Sequence, residues 1–340
     1  MSIPTRQIGK NGPKIPQIGY GAMGLAAFYG PPSSQEVVDA CLQEVIKQGV
    51  SMIDTSDIYT DMSSGKLGLG EEQIGRFLKS HPEAREKLFI ATKFGFSIGE
   101  SGLGVRGERE YVSEAIDASL KRLGVDHIDL YYHHRPSETD VVETAKGLKD
   151  VKEAGKTKYV GVSEYTLEDL KRANEVVHID AYQIEASPWT PDIFQNGIAD
   201  WCRENQTLIV PYSPLGRSLA ARSVTSTDSL DDNDFRKTNE RFSKENLEAN
   251  LKLTDALEEI AKKKGNTTGQ IAIAWLLAKD PNVIPIPGST KPHRIAENTE
   301  GARITLTPEE VKEIDNIISS FKVSGDRYSG AMASLAAAFK

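Results

Sequence analysis

Cysteine is nearly absent from this chain of 340 residues, which carries only Cys41 and Cys202. Both fall in helix-like contexts without CxxC spacing, so neither a disulfide framework nor a zinc site is indicated. Long apolar runs are missing too. The longest, Ile271 to Ala278, falls well short of the ~20 residues that cross a bilayer. The opening stretch Met1 to Lys10 is polar, with no apolar signal core. Positive charge is not in surplus: the formal net charge of -8 argues against a polyanion partner, which a basic face would recruit. Finally, no Gly-x-Gly-x-x-Gly follows a strand and opens a helix in the first βαβ unit, so a Rossmann-type dinucleotide site is not indicated. These absences predict a soluble, cytoplasmic protein with no nucleic-acid, membrane or metal partner, and they leave monomer or homo-oligomer open.

What is present is a globular balance, 39% hydrophobic and 26% charged, with enough apolar material for a sizeable core. A turn-forming Gly9-Lys10-Asn11-Gly12-Pro13 separates Arg6-Gln7-Ile8 from Lys14-Ile15-Pro16, which predicts an N-terminal β-hairpin plugging a barrel floor. Short apolar strands then alternate with helical periodicity. Strands are expected at 18–21, 51–54, 88–93, up to His134, 158–162, 181–185 and 208–212, with an eighth at 283–286. Helices are expected at 34–47, 71–80, 109–122, 138–153, 166–175, 192–204, about 247–279 and 308–320. Eight such strands close a (β/α)8 TIM barrel, read here as a single domain over 1–340. A segment of about 217–246, rich in Ser, Thr, Asp and Arg, is long for a structureless loop and reads as a lid over the site. A small-residue tail of about 321–340, in which Arg327 and Tyr328 stand out, would border the opening.

Barrel chemistry gathers at the carboxyl ends of the strands, and four side chains there are of the right kind: Asp54, Tyr59, Lys93 and His134. A phenol beside an ammonium is a proton donor, because the positive charge favours the phenolate. A buried lysine needs a counter-ion, which Asp54 would supply. Asp54 with Lys93 alone would equally read as a structural ion pair, and Tyr59 alone as a core aromatic. His133 and His134 are neighbours on one strand and face opposite ways, so only one enters the mouth. Asp57 reads as a turn cap. A metal-dependent hydrolase using Asp54, Asp57, His133 and His134 is disfavoured by the same strand geometry.

The segments DTSDIY, ATKFG, LYYHHR, GVSE, YQIE, PYSPLGR and IPIPGSTKPHRIAEN resemble the aldo-keto reductase superfamily in order and spacing, over almost the whole chain. The resemblance implies NADPH-dependent reduction of aldehydes or ketones, with Tyr59 as general acid and Asp54, Lys93 and His134 assisting. It selects His134 over His133. It also implies a cofactor held by Gly21, Met23, Ser163, Gln183, Tyr212, Ser213, Leu215, Arg217, Ser289, Thr290, Lys291, Arg294, Glu297 and Asn298. Lys291 and Arg294 would meet a 2'-phosphate. Two positions depart from the family: Glu164 stands where Asn is common, and Gly288 where Lys is common. Phe28, Tyr29, Phe94 and Trp189, with Met23 and Phe96, would line an apolar substrate pocket. The loop Thr60 to Gly70 is longer than usual and borders the proton donor. Within the superfamily, MGLAAFYG, GVSEYT, IPIPGSTK and GDRYSG resemble the general aldehyde and pyridoxal reductase branches more than the aldose reductases. A redox-sensing NADPH-binding subunit resembling channel β subunits is the alternative of another class.

Overall fold

The computed structural model describes residues 2–61, 64–99 and 102–328. Its strands are β1 Thr5–Gln7, β2 Lys14–Pro16, β3 Tyr20–Gly21, β4 Met52–Asp54, β5 Phe89–Phe94, β6 Phe96–Gly99, β7 Gly102–Val105, β8 Ile128–His133, β9 Thr157–Ser163, β10 Ala181–Glu185 and β11 Leu208–Tyr212. The helices are α1 Met23–Ala26, α2 Gln35–Lys47, α3 Leu69–Ser80, α4 Arg109–Leu123, α5 Val141–Glu153, α6 Leu167–Val176, α7 Ile198–Glu204, α8 Lys244–Lys264, α9 Thr268–Lys279, α10 Pro292–Gly301 and α11 Pro308–Ser320. A parallel sheet runs β3-β4-β5-β8-β9-β10-β11, each strand beside the next. The architecture is the expected (β/α)8 barrel with an N-terminal hairpin. Among the described residues no helix is long and apolar enough to cross a membrane.

The eighth strand is where expectation and structure part. Residues 283–286 are extended but do not form a regular strand, because Pro285 and Pro287 have no N–H to give. Ile284 and Ile286 donate to Ile209 and Pro211 on one side, at 2.8 and 3.0 Å. On the other side the prolines only accept, from Gly19 and Gly21 at 2.9 and 3.2 Å. The barrel closes through half a ladder.

Side chains alternate in and out along each strand. The inward set of the lower layers is apolar: Met52, Phe89, Ala91, Leu130, Tyr132, Ala181, Leu208, Val210, Ile284 and Ile286. Ile8 and Ile15 of the β1–β2 hairpin pack onto this cluster from below, as a floor plug would. Gly161 makes the filling possible, since a Cβ there would lie 2.5 Å from the Tyr132 ring. One step further along each strand, the inward side chains turn polar.

Segments outside the barrel frame its mouth. The antiparallel pair β6–β7 follows β5 there, a feature that the expected strands did not include. The 217–246 segment is built of short 3-10 turns at Thr227–Ser229, Phe235–Thr238 and Glu240–Phe242. It reaches across to the loop after β3, where Phe235 donates to the Phe28 carbonyl at 3.0 Å and Tyr29 bridges Asp234. The tail comes back to the mouth at Arg327 and Tyr328; its expected continuation to 340 lies outside the described residues.

Candidate active site

Period-two alternation carries Asp54, Lys93, Ser163, Gln183, Glu185 and Tyr212 inward, one layer above the apolar filling. His134 follows β8 with the same parity. The centre of this layer is Lys93, fully buried, whose ammonium donates to Asp54 Oδ1 at 2.5 Å, to the Thr55 carbonyl at 2.7 Å and to the Tyr59 hydroxyl at 3.0 Å. Gln183 donates to the other Asp54 oxygen at 2.8 Å. The lysine's three protons are thereby satisfied, which is what allows a buried ammonium to stay charged. Burial pulls the Lys93 pKa down, but Asp54 and Tyr59 outweigh it and the net direction is up. Asp54 is pushed up by its own burial, with Lys93 opposing.

Tyr59 departs from the expectation. Burial raises its phenol pKa more than Lys93 lowers it, so the net shift is upward from 10.0. The resting site therefore holds a protonated phenol, the form a proton donor must have. The chain after it is tied back: Gly68 and Gly70 donate to the Asp57 and Tyr59 carbonyls at 2.6 and 2.8 Å. These bonds hold residues 68–70 against the turn that carries Tyr59.

The two histidines divide as strand geometry requires. His133 faces outward, its Nε2 donating to the Arg106 carbonyl at 3.1 Å and its Nδ1 accepting from Tyr165 at 2.8 Å. His134 faces the mouth, edge-on to Tyr59 and Phe96 with ring centroids 6.0 and 4.9 Å apart. Burial lowers the pKa of both, His133 from 6.5 to about 4. An unfolded chain would bind that proton first as pH falls below 6.5. Stability present above 6.5 should then drain away toward pH 4, by ~3 kcal/mol from His133 alone. Urea unfolding at pH 7.5 and 5 measures this, and His133→Gln should flatten the difference; an unchanged slope would refute the assignment.

The remaining expected residues scatter more widely. Ser163 accepts from Arg135 at 3.1 Å, and the Tyr212 hydroxyl donates to Glu164 Oε1 at 2.7 Å. Ser213 and Arg217 adopt positive φ, 50° and 55°, in the turn after β11, and Leu215 packs on the core. The Arg217 guanidinium is already engaged, donating to Glu185 at 2.7 Å and to the Arg327 carbonyl at 2.9 Å. Gly21 and Gly288 allow a close approach of the two chains: a Cβ on Gly288 would lie 2.6 Å from the Gly21 carbonyl, and one on Gly21 would lie 2.7 Å from the Ile286 carbonyl. Tyr20 fixes the following loop by donating to the Ser289 carbonyl at 2.7 Å. Lys291 caps α10 in the open, with Thr290 before it and Asn298 buried on its inner side.

Beyond the β11 turn, a groove of about 300 Å³ is lined by Arg222, Lys262, Thr267, Gly269, Arg294 and Glu297, among others. Arg294 donates to Glu297 there at 2.6 Å.

An apolar collar surrounds Tyr59: Ala26, Ala27, Ile58 and Phe96, with Met23, Phe28, Leu67, Leu69 and Val105 packed against them. Phe28 belongs to it, and Tyr29 sits at its rim against Phe235. Phe94 and Trp189 are not brought to this collar. Phe94 follows Lys93 and so faces outward, stacked on Tyr131 with centroids 5.0 Å apart. Trp189 is buried under Gly216, its indole N–H donating to the Asn250 carbonyl at 3.1 Å.

Sequence reasoning missed Arg135 and Glu185, although LYYHHR and YQIE contain both. Arg135 is buried and donates to the His134 carbonyl at 2.7 Å. Glu185 binds Arg217, and Arg327 lies 3.0 Å from it; Arg327 also donates to Glu164 at 2.5 Å. Strand-end parity with Gln183 was the available signal for Glu185.

The sequence profile of the Aldo/keto reductase family matches residues 17–319. A curated relative from Schizosaccharomyces pombe, "Aldo-keto reductase yakc [NADP(+)]", is 41% identical over 333 residues, covering 96% of this chain and 95% of its own. Among solved structures, the glycerol dehydrogenase AKR11B4 of Gluconobacter oxydans superimposes with a TM-score of 0.83 at 24% identity, covering 97% of this chain and all of the other. The thermostable aldo-keto reductase Tm1743, solved with the inhibitor epalrestat, gives 0.73 at 29% identity, covering 93% of this chain and all of its own. The profile match and the 41% relative both span nearly the whole chain, and the chain belongs to the aldo/keto reductase family.

Proposed function

We propose that this protein is an NADPH-dependent reductase of aldehydes and ketones, with Tyr59 as general acid. The observation that carries the reading is the buried chain Asp54, Lys93, Tyr59, ending in a protonated phenol inside an apolar collar. When bound, the nicotinamide cofactor supplies the hydride that reduces the carbonyl carbon. The carbonyl oxygen then needs a proton, which Tyr59 gives. Lys93 stabilises the phenolate left behind, and Asp54 keeps Lys93 charged. His134 orients the oxygen by a hydrogen bond.

Two features fit this cofactor. Glu164 Oε2 is buried without a hydrogen-bond partner, beside Ser163 and across the sheet from Gln183. A carboxamide N–H2 would satisfy it. The groove holding Arg222, Lys262 and Arg294 offers cations for a ribose phosphate, and the α10 N-terminus adds free amides nearby. Ser213, Leu215 and Arg217 would contribute the turn backbone between these ends. The apolar collar suits aromatic or medium-chain aldehydes, with Phe28, Phe96 and Met23 as contacts.

The test is consumption of NADPH, followed by its absorbance, against aromatic aldehydes, pyridoxal and simple ketones. Turnover with at least one class is expected, and NADH should bind more weakly. Arg294→Ala should cost roughly 1.5–3 kcal/mol of NADPH affinity, about tenfold or more, and leave NADH unchanged. Equal losses for both cofactors would refute the phosphate role.

A further inference from the structure

His134 is useful to a carbonyl oxygen only if its Nε2 carries the proton. The imidazole is held neutral, because burial, then Arg135 and Lys93, push its pKa well below 6.5. It is therefore one of two tautomers, and its surroundings decide which.

We propose that Ser56, backed by Asp57, is a positioning residue that fixes this tautomer: its hydroxyl donates to His134 Nδ1 and so places the proton on Nε2. The inference rests on the reductase reading above and adds a residue to that site. Ser56 Oγ lies 3.0 Å from Nδ1. Its single proton has two other acceptors in reach, Asp57 Oδ1 at 3.3 Å and the Lys93 carbonyl at 3.4 Å. Nδ1 is the nearest. No protein group partners Nε2 among the described residues, so the ring's other end is left for a ligand.

Asp57 decides the competition. A carboxylate would draw the serine proton to itself. Ser56 would then accept from Nδ1–H, and Nε2 would be bare. A carboxylic acid instead donates to Ser56 Oγ and leaves the serine proton to Nδ1. Asp57 is 2% exposed, and no cation lies within ion-pairing distance among the described residues. Around it stand Glu71 of α3, Arg122 and Tyr111 of α4, and Tyr131 of β8. Glu71 is itself claimed by Arg122 at 2.6 Å and by Thr92 at 2.6 Å, so the cation is spent on the other acid. Burial and the Glu71 charge hold Asp57 well above the ordinary carboxylate range, with Arg122 opposing. The run Asp57, Ser56, His134 thus forms a one-way series of hydrogen bonds pointing at the substrate oxygen.

The test is ¹⁵N NMR of histidine-labelled full-length protein, with the His134 signals identified by their loss in His134→Gln. Wild type should show the neutral Nε2–H form near pH 7. Ser56→Ala should mix the tautomers and lower kcat about tenfold while leaving the NADPH Kd unchanged. Asp57→Asn, which cannot ionise and still donates an N–H to Ser56, should keep the wild-type tautomer. A wild-type Nδ1–H form, or an unaltered tautomer in Ser56→Ala, would overturn the proposal. A shift in Asp57→Asn matching that of Ser56→Ala would remove Asp57 from it. Full turnover in His134→Gln would instead sink the role of His134 in the reductase, a different failure that leaves the tautomer measurement intact.

Discussion

Tyr59→Phe is expected to bind NADPH as wild type does and to lose about 10²–10⁴-fold in turnover, the usual contribution of a general acid. The substitution removes one oxygen. The ring keeps its edge contact with Phe28, at 6.4 Å between centroids, and its place in the collar. Lys93 keeps Asp54 and the Thr55 carbonyl, so its charge stays compensated. The lost function is therefore proton delivery rather than architecture. Because burial raises the phenol above 10.0, the wild-type rate should not fall through loss of this proton between pH 6 and 9. Single-turnover rates of NADPH oxidation, with Kd from fluorescence quenching, separate the two effects. Turnover within fivefold of wild type would remove Tyr59 from the mechanism.

The barrel is legible because period-two strands alternate with period-3.6 helices along most of the chain, and the strands at 181–185 and 208–212 fall at the expected places. The eighth strand was not, since apolar periodicity at 283–286 says nothing about donors that prolines lack. Within the site, the proton chain was legible because charge in an apolar run needs a partner, and Asp54 and Lys93 are each other's. Parity was the tool underused. Lys93 facing in obliges Phe94 to face out, and the same count carries Glu185 inward with Gln183. Trp189 could not be placed by parity, because it lies beyond the strand in a loop whose packing on Asn250 is set by residues far along the chain. The place of Arg217 in PYSPLGR points to a cofactor contact; its ion pair with Glu185 and its separate bond to the Arg327 carbonyl in the tail are non-local facts that no window of sequence contains.

That ion-pair network supports the largest stability prediction. Glu185 is 1% exposed and faces three guanidiniums: Arg217 at 2.7 Å, Arg327 at 3.0 Å and Arg241 at 4.0 Å. Burial alone would raise its pKa, but the three cations outweigh burial and hold it below 4.5. A depressed carboxylate stabilises the fold at neutral pH and loses that contribution as pH falls through the acid range. Glu185→Gln keeps the shape and removes the charge, leaving the buried Arg217 without that carboxylate while Arg327 keeps Glu164. Breaking a buried pair from one side typically costs about 3–5 kcal/mol, against about 0–1 for an exposed pair such as Arg172 with Asp140. Urea unfolding at pH 7 should show that difference between Glu185→Gln and Arg172→Ala. The loss should also reach the mouth, because Arg217 holds the Arg327 carbonyl and Tyr328 rests on Tyr212. Limited proteolysis should then cut between 321 and 328 faster in Glu185→Gln than in wild type. Adding Arg217→Met should recover part of the stability by removing the cation that has lost its carboxylate, and would not restore the tail. If Glu185→Gln costs less than about 1 kcal/mol, the guanidiniums find other partners and the network does not clamp the tail.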